Sequence, residues 1–425
     1  MKVLVVGGGG REHALVWKIS KSPKVSKIYC APGNGGIAQL AECVNIRPTD
    51  IESMTAFALQ NNIDLVVVAP DDPLAMGMVD AMQAKGIRAF GPDAKAAQIE
   101  ASKAFAKQLM KKYGIPTAKY EIFENFEYAV EHIKNHSYPL VVKADGLALG
   151  KGVSICFTFH EAYSALENIM KNKIFGEAGS KVVIEEFLEG QEVSILAFTD
   201  GKTVIPMISS QDHKRAFDND KGPNTGGMGT FAPSPIYTEQ IASYCMDRIF
   251  IPTMNAMNAE GRKFKGVLYF GLILAADGPK VLEYNARFGD PETQVVLPAL
   301  KTDIIDIFNA VIDEKLDEIN VEWDNICSVC VIIASGGYPG KYETGKAISG
   351  LDEVHAMKDV YVFHAGTRKE DNLFYTSGGR VLGVTACSRT LKEAIEKCYN
   401  ACSIIRFENM HYRTDIGCKA IKPGL

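Results

Sequence analysis

Apolar positions in the first hundred residues fall into short β-branched runs separated by stretches of helical period. Strands are predicted at residues 2–6, 27–30, 64–68 and 87–90, and helices at 12–20, 51–60 and 79–85. Such alternation implies a parallel sheet covered by helices. Gly91-Pro92 ends the pattern. Residues 94–113 then carry the period of one long helix, crossing into a second unit and stopped by Gly114-Ile115-Pro116.

Beyond residue 119 or so the pattern changes. A helix at 126–135 leads to strands at 140–144 and 153–157, and a helix at 160–171 precedes strands at 181–187 and 192–198. This predicts a small α+β unit on an antiparallel sheet. A larger companion follows, with an apolar run at 266–274, a turn at 275–279, a returning strand at 280–284 and a helix at 303–316. A C-terminal unit starts near Cys327, with strands at 328–334, 360–365 and 380–386. Its last helix begins at Thr390, with a capping box to Glu393, and runs to about Arg406. The expected division is 1–102, 103–325 with a small subdomain at about 119–194, and 326–425.

A length of 425 residues fits two to four domains, and 47% apolar with 23% charged residues is the composition of a soluble globular protein. A net charge of −5 leaves no basic excess with which to neutralise nucleic-acid phosphates. The N-terminus enters a strand directly, without the pattern of a leader, and no apolar run approaches the roughly 18 residues of a membrane span. The ten cysteines are scattered. Cys327 and Cys330 form a single C-x-x-C on a strand, where core packing is a better reading than zinc or redox chemistry. These features predict reduced thiols in a cytoplasmic protein, and the chain is expected to act as a monomer.

Side chains two apart on a strand share a face, so Glu283 and Asn285 point the same way. One carboxylate and one amide oxygen, followed by Arg287, are parts that can hold Mg²⁺ together with a nucleotide's phosphates. An isolated E-x-N would otherwise be a solvated strand end. Lys143 to Val153 is a glycine-bearing loop between two strands. Its glycines let backbone N–H groups approach phosphate oxygens, and its lysines neutralise them. It is not a P-loop, because a strand follows instead of a helix; a plain hairpin tip is an equal alternative.

The strand 181–187 ends in acids, which suits adenine and ribose recognition or mere solvation. Gln211-Asp212-His213-Lys214-Arg215 packs polar groups beside an apolar strand, and residues 218–229 show no secondary-structure period, as in an ordered binding loop. His213 alone reads as structural. Gly7-Gly8-Gly9-Gly10-Arg11-Glu12-His13 follows a strand and opens a helix. The third glycine of a dinucleotide fingerprint is missing, since position 12 is Glu12, but a helix N-terminus still favours an anion such as a sugar phosphate.

The combination resembles the ATP-grasp ligases. The strings GGGGREHAL, KADGLALGKGV, QDHKR, GPNTGGMG and RFGDPETQ are similar, across essentially the whole chain, to the glycinamide ribonucleotide synthetase family of purine biosynthesis. The resemblance implies a multidomain α/β and α+β protein: an ATP-grasp fold with an N-terminal parallel α/β domain and a C-terminal β-rich domain. It implies that ATP, glycine and 5-phosphoribosylamine give glycinamide ribonucleotide, ADP and phosphate through a glycyl phosphate, with Mg²⁺ or Mn²⁺. Nearest in kind are other ATP-grasp carboxylate–amine ligases and the biotin-dependent carboxylases.

By the matching motifs, Glu283 and Asn285 would ligate the metal. Lys103, Lys143, Gly150, Lys151 and Gly152 would contact ATP phosphates, Glu185, Phe187 and Leu188 the adenine, and Glu192 the ribose. Arg287, with Asp212 and Lys214, would serve catalysis. His213, Arg215, Asn224, Thr225, Gly226 and Asp290 would position glycine and phosphoribosylamine, with Gly8, Gly10, Arg11 and Glu12 at the substrate phosphate. Two departures stand out. Residues 267–271 lack the further acidic metal ligand that many ATP-grasp enzymes carry before E-x-N. Ala69-Pro70-Asp71 stands where Gly-Pro-Glu is expected.

Overall fold

A computed structural model describes residues 1–147 and 152–421. The N-terminal sheet is parallel, with the spatial order Glu42–Cys43, Lys27–Pro32, Lys2–Gly7, Leu65–Val68, Ala89–Phe90. Val3 to Val6 are fully buried because helices cover both faces: Leu4 and Val6 pack with Met54 and Ala58, and Val3 and Val5 with Leu15 and Val16. The strand Glu42–Cys43 and the helix Asp71–Ala75 went unpredicted; two and five residues are too short for a period to show.

The single helix expected over 94–113 is two, Ala94–Ala101 and Lys103–Tyr113, broken at Ser102 with φ −133°. The break has a tertiary cause. The Asp145 carboxylate accepts the Ala104 N–H at 3.0 Å and the Ser102 hydroxyl at 3.1 Å, while the Ser102 hydroxyl oxygen accepts the Phe105 N–H at 3.1 Å. The second helix therefore starts against the glycine loop, with Lys103 in its first turn.

The small subdomain is an antiparallel sheet ordered Tyr120–Phe123, Val182–Glu186, Leu140–Ala144, Val153–Cys156. Alternation divides its work. Leu140, Val142, Val182 and Ile184 pack under the helices Phe126–Lys134 and Phe159–Leu166, and the other face carries Lys143 and Glu185. The predicted helix 160–171 changes to a π turn at Glu167–Lys171. Facing this subdomain is a second antiparallel sheet, Val204–Pro206, Gln191–Thr199, Gly266–Ala275, Gly278–Asn285.

The C-terminal sheet runs Gln211–Asp212, Gly229–Ala232, Cys327–Ser335, Arg380–Ser388, Val360–His364, so two of its strands come from mid-chain. Residues 218–229 are not the irregular loop expected. They include the turn Asp218–Asp220, the strand Lys221–Asn224, which pairs with Arg215–Phe217, and the start of Gly229–Ala232. Buried Arg413 holds the hairpin from 193 and 198 residues away, donating to Asp220 Oδ1 at 2.9 Å and to the Arg215 carbonyl at 3.1 Å. At the predicted capping box the Thr390 hydroxyl oxygen accepts the Glu393 N–H at 3.3 Å, and the Glu393 carboxylate also accepts the Ser388 hydroxyl at 2.8 Å. Cys330 is buried in the sheet core, and no group of three or more His, Cys, Asp or Glu among the described residues suits a metal. No helix among them is long and apolar enough to cross a membrane.

Candidate active site

The strand Gly278–Asn285 pairs antiparallel with Gly266–Ala275, setting Glu283 opposite Gly271 and Asn285 opposite Tyr269. Position 271 has no side chain to compete with Glu283. Lys214 Nζ lies 3.4 Å from Glu283 Oε1. Lys214, then Lys143 and Lys103, draw the Glu283 carboxyl down to about 2 against the opposing effect of burial. The carboxylate is thus ionised at any physiological pH. Asn285 Oδ1 accepts from Arg287 Nη2 at 3.2 Å.

Lys143 and Lys107 close on one carboxylate. Their Nζ atoms each lie 2.9 Å from Glu185, on opposite oxygens, and all three side chains are almost wholly buried. Lys143 also donates to the Leu282 carbonyl at 3.2 Å, tying the small subdomain to the metal-candidate strand. Lys103 donates to the Gly146 carbonyl at 2.7 Å, and burial lowers its pKa. The Gly152 carbonyl accepts the Ala144 N–H at 2.8 Å and closes the glycine hairpin; Gly150 and Lys151 lie outside the described residues. The Glu185 side chain faces the lysines, and partly exposed Phe187 and Leu188 follow the end of its strand. Glu192 lies 3.2 Å from the same Lys214 ammonium.

A second cluster surrounds residues 287–294. Asp212, half-buried with its Oδ1 enclosed behind Gly227, is raised well above the usual carboxylate range by burial and then by Glu292. Burial likewise raises Glu292. Among the described residues, Asp212 Oδ1, Arg287 Nε and Gln294 Oε1 are buried with no hydrogen-bond partner. Gln294 Nε2 donates to Asp290 Oδ1 at 2.7 Å, and a Cβ on Gly10 would lie 2.7 Å from that nitrogen. The N-terminal glycines therefore abut Asp290. Burial alone would raise Asp290, but Arg380 and Arg11 outweigh it and hold the group ionised.

Sequence profiles of three domains match in order: the phosphoribosylglycinamide synthetase N domain at residues 1–100, its ATP-grasp (A) domain at 101–293 and its C domain at 328–419. The chain belongs to the phosphoribosylglycinamide synthetase family. It is 51% identical to the phosphoribosylamine–glycine ligase of Caldanaerobacter subterraneus subsp. tengcongensis, covering 98% of this chain and 99% of that one. Identity to the Salmonella typhimurium ligase is 47%, covering 99% of each chain. The crystal structure of the Thermotoga maritima ligase superposes with a TM-score of 0.85 at 32% identity, over 98% of this chain and 100% of that one. The biotin carboxylase domain of a Hydrogenobacter thermophilus 2-oxoglutarate carboxylase, solved with MgADP and bicarbonate, shares the fold alone: TM-score 0.74 at 18% identity, over 97% and 91% of the chains.

As a family member, the chain is an ATP-grasp carbon–nitrogen ligase that uses ATP. Its architecture brings predicted residues together: Lys214, Lys143 and Lys103 act on Glu283, Lys214 also pairs with Glu192, and Arg287 donates to Asn285. Other predicted residues have different surroundings. The His213 ring packs on Phe231 and accepts the Gly417 N–H at 3.5 Å, facing the C-terminal sheet. Arg215 donates to the Gly222 carbonyl at 2.8 Å within its hairpin, across from Asn224. Arg11 donates to Glu12 at 2.6 Å and to the Phe288 carbonyl at 3.1 Å, while Glu12 caps Gly9 N–H at 2.6 Å. The Thr225 hydroxyl donates to the Lys214 carbonyl at 2.9 Å, and Gly226 lies between Tyr338 and Arg380.

Sequence reasoning missed Glu100, Lys107, Glu292, Gln294 and Arg380. Glu292 and Gln294 lie inside the RFGDPETQ string and were available to it. Glu100, Lys107 and Arg380 carry no local signal, because each acts on residues far away in the chain.

Proposed function

We propose that this synthetase joins the carboxyl of glycine to the amine of 5-phosphoribosylamine in the cytoplasm, forming glycinamide ribonucleotide through a glycyl phosphate. The observation that carries this reading is the focus of Lys214, Lys143 and Lys103 on ionised Glu283, beside Asn285 and Arg287. A hard oxygen pair next to lysines suits a cation shared with phosphate groups and is too sparse for a metal caged by protein alone. Glu283 and Asn285 would hold that ion, Mg²⁺ or Mn²⁺, which when bound offsets charge between the carboxylate and the γ-phosphate.

The remaining roles belong to side chains. Lys103 and Lys143 neutralise ATP phosphates under the glycine loop that includes Gly150 to Gly152. The backbone of Glu185, with Phe187 and Leu188, frames the adenine, and Glu192 the ribose. With buried Glu292 beside it, Asp212, whose Oδ1 is enclosed without a partner, takes the ammonium of glycine. Its carboxylate is thereby aimed at the γ-phosphorus. An oxygen of that carboxylate bonds to phosphorus as the bond to ADP breaks. The free Nε of Arg287 donates to the acyl phosphate, and again to the oxyanion formed when the sugar amine attacks the carbonyl. Phosphate then leaves, and the amine proton passes to solvent or phosphate. Residues 8–12 receive the ribose phosphate of the amine substrate and ionised Asp290 accepts from its ribose hydroxyls, while Asn224 to Gly226, with His213 and Arg215, shape the loop beside it.

ADP release tests the reading, with ATP, Mg²⁺, glycine and freshly generated phosphoribosylamine omitted in turn. Each omission should abolish turnover. ADP formation indifferent to glycine, or dependent on bicarbonate, would sink it.

A further inference from the structure

Glu100 lies outside every motif used above. It sits near the end of the helix Ala94–Ala101, with a side chain only 8% exposed. Its Oε2 accepts the Ala286 N–H at 2.7 Å, and its Oε1 lies 3.0 Å from Arg287 Nη2. One carboxylate thus spans the turn that immediately follows Asn285. Arg287 is further held by Nη1 donating to the Phe288 carbonyl at 3.2 Å and by Nη2 donating to Asn285 Oδ1 at 3.2 Å. A guanidinium presents its donors in one rigid plane, so fixing both Nη groups fixes the direction of the remaining Nε–H. That Nε is a buried donor with no hydrogen-bond partner among the described residues.

We propose that Glu100 is a positioning residue for the ligase reaction: it orients Arg287 and locks the turn after Asn285 to the helix that leads into Lys103. The inference rests on the role given to Arg287 above. Only Ser102 separates the helix bearing Glu100 from the helix bearing Lys103 and Lys107. Glu100 therefore joins the element that faces ATP phosphates to the element that faces the acyl group. The bond to Ala286 matters as much as the ion pair, because it fixes backbone between Asn285 and Arg287.

The test compares E100Q, E100D, E100A, R287K and the double variant E100Q/R287K in the full chain, with ATP, Mg²⁺, glycine and phosphoribosylamine. A misaimed guanidinium should lower kcat of E100Q by about a hundredfold, the loss typical of a 1 Å misplacement. KM for ATP should stay within about twofold, because uniform binding is untouched. E100D, which retains a carboxylate, should recover about tenfold over E100A. On the R287K background, E100Q should add less than about twofold, since residues acting as one unit are non-additive. A full, additive loss on that background would overturn the inference, as would normal kcat in E100Q. If R287K cuts turnover while E100Q does not, the role of Arg287 stands and that of Glu100 falls. If R287K itself is fully active, the reading of Arg287 fails first and takes this inference with it.

Discussion

Lys214 Nζ bridges two carboxylates, 3.4 Å from Glu283 and 3.2 Å from Glu192. Glu192 and, after the opposing effect of burial, Glu283 raise its pKa well above the usual lysine value, so the ammonium stays charged. It is thus the counter-ion of the carboxylate proposed to hold the metal, and a bound cation would free that ammonium for phosphate. Lys214→Met should therefore lower kcat by about a hundredfold, the scale of losing one charge-stabilising donor. The half-saturating Mg²⁺ concentration at fixed ATP should not rise. Metal titration of initial rates checks both, and unchanged kcat would remove Lys214 from the mechanism.

Glu283 is the residue on which the metal reading rests. Glu283→Gln keeps the shape and discards the charge, so turnover should fall by orders of magnitude with the far-ultraviolet circular dichroism unchanged. Near-normal activity would place the metal elsewhere.

Glu185 is flanked by two buried lysines, and its removal would leave both without their anion. Glu185→Ala should destabilise the fold by about 3–5 kcal/mol, the usual consequence of breaking a buried pair from one side. Urea unfolding measures that loss. A cost below about 1 kcal/mol would mean that water reaches the lysines, as at surface pairs.

Gly227 has φ +107°, and a Cβ there would lie 2.5 Å from Pro291 Cδ and 2.8 Å from Asp212 Oδ1. Gly227→Ala is strained in both backbone and space, by about 1–3 kcal/mol. Because the clash displaces Asp212, KM for glycine should rise more than KM for ATP. Steady-state titration of each substrate distinguishes the two, and an equal rise would speak against Asp212 as the ammonium acceptor.

His13 and His364 meet between the first and last domains, with the His364 N–H donating to His13 Nδ1 at 2.8 Å. Burial first, then His355, lowers His13 to about 3, and burial with His13 lowers His364 well below its ordinary value. Both are neutral when folded, whereas unfolded histidine titrates near 6.5. The unfolded chain thus binds more protons below that pH. The contribution to stability is complete above about 6.5 and is lost as pH falls toward about 3, at roughly 1.4 kcal/mol per pH unit for each ring. Urea midpoints should fall steadily between those limits, and His13→Gln should flatten the slope. An unaltered slope in that variant would mean other groups take up the protons.

Local pattern carried much of this molecule. Helix 51–60 and strand 140–144 form where their periods lie. The strings around Glu283 and residues 287–294 were enough to name the family. Period failed where distant groups intervene. Ser102 breaks a helix because Asp145 captures its first turn, and residues 215–224 fold into a hairpin because Arg413 binds it. The side chains of His213 and Arg215 show the same limit: their neighbours in sequence point into the cleft, while they themselves face the C-terminal sheet and the hairpin.

From the opening strand to the E-x-N pair, the order of residues alone determined most of the elements that form, which family they make up and which chemistry they can support. Strand alternation and charge at fixed spacing are local properties, written every two or four residues. Only the tertiary structure decided that Glu100 grips Arg287, that Lys107 shares Glu185 with Lys143, and that Lys214 stands guard over Glu283. Those contacts join residues as much as 187 positions apart, and which buried charge finds which partner is settled by packing, where no local period reaches.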